Sequence, residues 1–122
     1  MTLLLIGVGG GVGALLRYGL SVWLGRGGEG FPVATLVVNV SGCVLIGLLV
    51  PLLKGWNVRE SVQLGLLVGL LGGYTTFSSF GRETFGLVES GRVGMAVGYV
   101  GLSNVLGVVG VWVGMVIGRG WA

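Results

Sequence analysis

Four apolar runs, each long enough to cross a lipid bilayer as a helix, occupy most of this 122-residue chain. They cover residues 2–24, 33–53, 62–88 and 94–118. A spanning helix needs about 20 residues, and only structures that satisfy their own backbone hydrogen bonds survive in the hydrocarbon core. The expectation is therefore an all-α membrane protein with four transmembrane helices. The connections GRGGEGFP, KGWNVRES and ESGRVG are too short for a soluble unit, which leaves a single domain over residues 1–122. Charged residues make up only 9% of the chain and mean hydropathy is +1.00, whereas soluble domains carry about 25% charged residues.

Local signals place some helix ends. Pro32 suits the first turn of the second helix, where a missing N–H costs nothing, and Asn57 with Glu60 has capping-box spacing for the third. The opening MTLLLIG lacks a basic n-region, and its run is too long for a signal-peptide core, so it reads as a membrane helix.

Glycine supplies 28 of the 122 residues, with no collagen period, against a usual share of about 7%. Many recur every four positions: Gly9 and Gly13; Gly65, Gly69 and Gly73; Gly94 and Gly98; Gly110, Gly114 and Gly118. Small residues at this spacing let helix backbones meet, which is how helices already in lipid gain packing energy. Tight packing accounts for most of them.

The chain has no histidine and no aspartate, and its one cysteine, Cys43, falls inside a predicted helix as a small packing residue. Without those parts, His-based triads, zinc sites and disulfide frameworks are excluded, and the chain does not read as an enzyme. The net charge of +3 comes from basic residues scattered singly over loops and helix ends, which does not make a nucleic-acid surface.

Orientation in a membrane follows the imbalance of Lys and Arg between the two sides. Here one side carries Lys54, Arg59 and Arg119, and the other carries Arg26 and Arg92, with Arg17 added if it snorkels that way. The near balance predicts dual topology: the same chain inserts both ways up and pairs as an antiparallel homodimer. A second copy would also supply the wall that four short helices lack.

The polar stretch GGYTTFSSF, residues 72–80, lies at the middle of the third run. Gly72 and Gly73 weaken a helix, and Thr75 or Thr76 can cap a new one, so the third helix is expected to break near its middle. Irregular backbone at that depth is tolerated only where protein or a water-filled cavity covers it, and in transporters such breaks commonly hold ions. Phe77 and Phe80, three apart, share a face of the restarted helix. Their electropositive ring edges can face an anion, or the rings can simply pack. Asn39 and Ser41 in the second helix and Tyr99, Ser103 and Asn104 in the fourth bring neutral donors to similar depth, as an anion lining or as interhelical glue. Arg17 lies seven residues before the end of the first run, about 10 Å of rise, within reach of the headgroups or of a pore mouth. Arg82 and Glu83 fit either a local ion pair or a vestibule.

These segments resemble the small fluoride channels of the Fluc (CrcB) family: GALLRY at 13–18, PVATLVVNVSG at 32–42, GGYTTFSSF at 72–80 with Glu83 after it, and Tyr99 followed by Ser103. The resemblance covers all four helices. It implies a dual-topology homodimer with two antiparallel fluoride pores and a structural Na+ on the two-fold axis, held by backbone carbonyls of Gly72 and Thr75 from both copies. It further implies Phe77 and Phe80 as pore phenylalanines, Asn39 as the pore amide, and Ser78, Ser79, Tyr99 and Ser103 as a polar track. Thr35 and Glu83 would lie toward the ends of that track, and Arg17 matches the family's first-helix arginine. Ala34, Ser79, the Gly81-Arg82 pair and Gly107 depart from the family pattern, which leaves the role of Arg82 open.

The implied activity is passive export of cytoplasmic fluoride through the plasma (inner) membrane of a bacterium or archaeon. Competing readings are a small antiparallel proton-coupled drug antiporter, a non-conducting assembly subunit, and one half of a heterodimeric fluoride channel. Antiporters of that kind use a carboxylate in the first helix, and residues 2–24 contain none.

Overall fold

The computed structural model describes residues 1–25 and 30–122, and all the regular structure among them is helical. α1 (Thr2–Trp23) and α2 (Val33–Gly55) are continuous spans. The third span, Glu60–Glu89, is assembled from pieces. It runs through α3 (Glu60–Leu64), a π-helical stretch at Gly65–Leu70 and α4 (Leu71–Tyr74), then breaks and restarts as α5 (Phe77–Glu89). α6 (Val93–Trp121) closes the chain, giving four helical spans long and apolar enough to cross a membrane. Arg26, counted above toward the orientation balance, lies outside the described residues.

Two of the expected helix ends fall differently. Pro32 is the N-cap residue of α2, one position before the first turn. Asn57 does not cap the third span at all, because it closes α2. With φ at +50°, Asn57 occupies the left-handed position after the C-cap. There its N–H donates to Lys54 O and the Val58 N–H reaches Leu53 O, at 3.1 and 3.0 Å. This is the Schellman pattern, for which asparagine is the usual substitute for glycine. The N-cap of α3 falls instead on Arg59, which makes no side-chain capping bond. The Gln63 amide donates to Val58 O at 2.7 Å across this turn. Gly91, at φ +80°, ends α5 in the same way: its own N–H donates to Val88 O, and the Arg92 N–H donates to Leu87 O.

The helices pair through glycine. α1 lies along the first half of the third span, and α2 lies along α6. A Cβ on Gly13 would fall on the Leu70 carbonyl, and one on Gly73 would fall on the Gly10 carbonyl. In the other pair, a Cβ on Gly114 would meet the Val44 carbonyl and one on Gly47 the Val111 carbonyl. Backbone-to-backbone approach of this kind is what small-residue repeats provide in lipid. Gly94 and Gly98 differ, since nothing within the described chain approaches either one. Their spacing therefore builds no close backbone approach among the described residues.

Between these two pairs, Tyr99 and Val38 are the largest fully buried side chains. Tyr99 packs in a small core with Leu87 and Ala96, against which Phe31, Leu36 and Phe80 rest.

Candidate functional site

The break in the third span is built by side chains from three helices. Thr75 (φ −79°, ψ 158°) and Thr76 (φ −149°, ψ 113°) are both extended, as two residues after paired glycines permit. Thr75 Oγ1 donates to Leu71 O at 2.9 Å and closes the first half. Thr76 Oγ1 accepts from the Ser79 N–H at 3.2 Å and opens the second, which makes Thr76 the cap of the pair considered above.

Asn39, on α2, then pairs with Thr76 in both senses. Its Nδ2 donates to Thr76 O at 3.0 Å, and its Oδ1 accepts from the Thr76 N–H at 2.9 Å. Both backbone groups of Thr76 are thereby satisfied, and one Asn39 N–H is left over. Arg17 enters from α1, where its Nε donates to Gly73 O at 3.2 Å. The guanidinium thus turns inward to the break instead of extending along α1 toward the headgroups. Ser41 donates to Val38 O at 3.0 Å and pairs with the Tyr74 hydroxyl at 2.8 Å, the bonding of a residue that fastens two helices.

Below the break an aromatic column leads to a carboxylate. Phe77 and Phe80 have ring centroids 5.6 Å apart, Phe80 and Tyr99 5.1 Å, and Tyr99 meets Phe31 edge-on at 5.5 Å. The Tyr99 hydroxyl donates to Glu83 Oε2 at 2.9 Å, while Thr35 Oγ1 donates to Glu83 Oε1 at 2.7 Å. Three helices thus converge on Glu83, which binds Thr35 and Tyr99 into one cluster.

Two cavities flank these elements. A vestibule of about 850 Å³ opens where α1 and α5 end and α2 and α6 begin. Arg17, Thr35, Ser79, Arg82, Glu83 and Arg92 supply its charged and much of its polar lining. A groove of about 380 Å³ on the other side gathers Asn39, Gly72, Thr75, Phe77, Phe80 and Ser103. The Ser103 Oγ is buried without a hydrogen-bond partner among the described residues, an unused donor beside the phenylalanines. Ser78 sits exposed, its hydroxyl 3.3 Å from Thr76 Oγ1. Asn104 turns its amide back to Val100 O at 2.8 Å.

Sequence reasoning had no means of finding the π-helical stretch or Phe31. Neither has a local signature: one is a register change set by packing on α1, the other a single aromatic in a loop.

Gly72 and Thr75 offer carbonyl oxygens that accept no hydrogen bond among the described residues. Among those residues no group of three His, Cys, Asp or Glu side chains could hold a metal. A cation at this break would accordingly be met by neutral backbone oxygens, which suit a hard monovalent ion.

Residues 4–115 match the family model described as CrcB-like protein, Camphor Resistance (CrcB). The chain belongs to the CrcB family. This CrcB chain is 42% identical to a protein of Acidobacterium capsulatum named fluoride-specific ion channel FluC, covering 98% of the chain and 97% of that relative. A relative of the same name from Paracoccus denitrificans is 43% identical, with 98% and 95% covered. Fluoride-specific ion channel FluC 2 of Nocardia farcinica is 45% identical, with 98% and 86% covered. The relatives of the CrcB chain are thus named as channels, and none of these names describes an enzyme.

Proposed function

We propose that this chain forms a fluoride-selective channel that lets cytoplasmic fluoride leave passively, as a dual-topology homodimer with two antiparallel pores in a bacterial or archaeal inner membrane. The observation that carries the reading is the break held open by Asn39, with Phe77 and Phe80 directly after it, in a chain whose relatives are named fluoride channels.

A small, strongly hydrated anion must exchange water for donors that release it again. Neutral hydroxyls, an amide and ring edges do this without the trap of a fixed charge. Ser103, the free Asn39 N–H and the Phe77 and Phe80 edges supply that set around the groove. Tyr99, Ser78 and Ser79 continue the track toward the vestibule, with Thr35 and Glu83 toward its end and Arg17 beside the break. The driving force is membrane voltage, about 2.3 kcal/mol per charge per 100 mV.

One copy leaves the site open on a side. Phe77 is 85% exposed and Gly72 is exposed as well, although both line the groove. A second copy across a two-fold axis would cover them and would double the Gly72 and Thr75 carbonyls to four. A structural Na+ fits that oxygen set, and when bound it would neutralise carbonyl dipoles that otherwise face each other.

The test is fluoride efflux from liposomes holding the purified protein, read with a fluoride electrode after valinomycin sets the voltage, with chloride in parallel. Fast fluoride release without chloride release is expected. No release from a folded dimer would overturn the reading in favour of a missing partner chain or proton-coupled exchange, which addition of a paralogue or a proton gradient would separate.

A further inference from the structure

Four charged side chains line the vestibule among the described residues, and their situations differ. Glu83 has both carboxylate oxygens occupied by the hydroxyls of Thr35 and Tyr99. Arg17 donates to the backbone of the break. Arg92 is the N-cap residue of α6. Arg82, on α5 two residues beyond Phe80, is exposed and forms no hydrogen bond or ion pair among the described residues. Among the described residues, three guanidinium groups and one carboxylate line it. Arg82 is the member of the set whose charge no described group holds.

Building on the channel reading, we propose that Arg82 is a permeation residue, which concentrates anions at the vestibule and so sets how fast fluoride reaches the polar track. A guanidinium keeps its charge at every working pH. Placed at a concave, water-filled mouth, it attracts anions over a distance comparable to the cavity and raises their entry rate. It does not touch the neutral donors around Phe77, Phe80 and Ser103, so it acts on throughput and leaves ion discrimination unchanged. The attraction is screened by salt, with a range of about 30 Å at 0.01 M and about 3 Å at 1 M. Dependence on ionic strength therefore separates this role from a structural one.

The experiment compares initial fluoride efflux for the parent, R82K, R82Q and R82E proteins in liposomes, at ionic strengths near 0.01 M and near 1 M. At low ionic strength R82Q should be slower by about two- to fivefold and R82E slower still, while R82K matches the parent. At high ionic strength all four should converge, with unchanged preference for fluoride over chloride at both. Equal rates for R82Q and the parent at low ionic strength would overturn the inference, and so would a deficit that persists at high ionic strength, the mark of a folding or headgroup contact. A parent protein that passes no fluoride under either condition would instead overturn the channel reading on which this rests.

Discussion

Asn39 holds the break by two hydrogen bonds of opposite sense, a pairing that a neutral side-chain amide supplies and an ionised carboxylate does not. In Asn39→Asp the Oδ1 role survives, but a carboxylate oxygen then faces the Thr76 carbonyl. We expect fluoride efflux to fall at least about tenfold and the folded state to lose about 1–3 kcal/mol, the cost of a buried group left unpaired. Efflux and thermal denaturation in detergent read the two effects; an Asp variant with parental throughput removes Asn39 from the pathway. Phe80 sits between Phe77 and Tyr99, so Phe80→Ile keeps bulk and loses the ring edge and both ring contacts. Its expected signature is efflux reduced about tenfold or more, about 1.4 kcal/mol of barrier, with the elution volume on size-exclusion chromatography unchanged. Asn39, Phe77, Phe80 and Ser103 stood out in the sequence because polar or paired aromatic residues are rare inside apolar runs. That Thr35 and Tyr99 both bond Glu83 did not, because their meeting depends on how α2 and α6 are rotated toward α5.

The broken third span was legible as an element from its paired glycines, two threonines and central position. Which threonine caps the restart shows only in the fold: Thr76 Oγ1 accepts the Ser79 N–H, while Thr75 Oγ1 turns back to Leu71 O. Thr76→Ala should cost about 0.5–2 kcal/mol, the usual range for an N-cap, seen as a lower denaturation midpoint; an unchanged midpoint would show that Asn39 alone sustains the break. The glycine repeats were legible as packing faces but not as particular contacts. Gly114 lies against the α2 backbone and Gly7 faces open space. Gly114→Leu should therefore destabilise by at least about 1–3 kcal/mol through overpacking. Gly7→Leu should leave the midpoint nearly unchanged, and similar losses in both would contradict this difference in packing.

At the scale of the whole molecule, the near balance of basic residues between the two sides carries the dual-topology reading. Adding three lysines at the C-terminus should hold the chain in one orientation. If the channel is an antiparallel homodimer, that variant alone conducts no fluoride, and co-expression with a variant biased the opposite way restores conduction. Parental flux from the biased chain alone would rule out antiparallel pairing. The four spans, the broken third one and the family were set by the sequence, because hydrophobic length, glycine pairs and a polar segment at mid-membrane are local properties that survive any packing. The π-helical stretch, the reuse of Asn57 to close α2, the inward turn of Arg17 and the Glu83 cluster were decided only by tertiary structure. Each depends on which face of one helix meets which face of another, and no single stretch of chain specifies that.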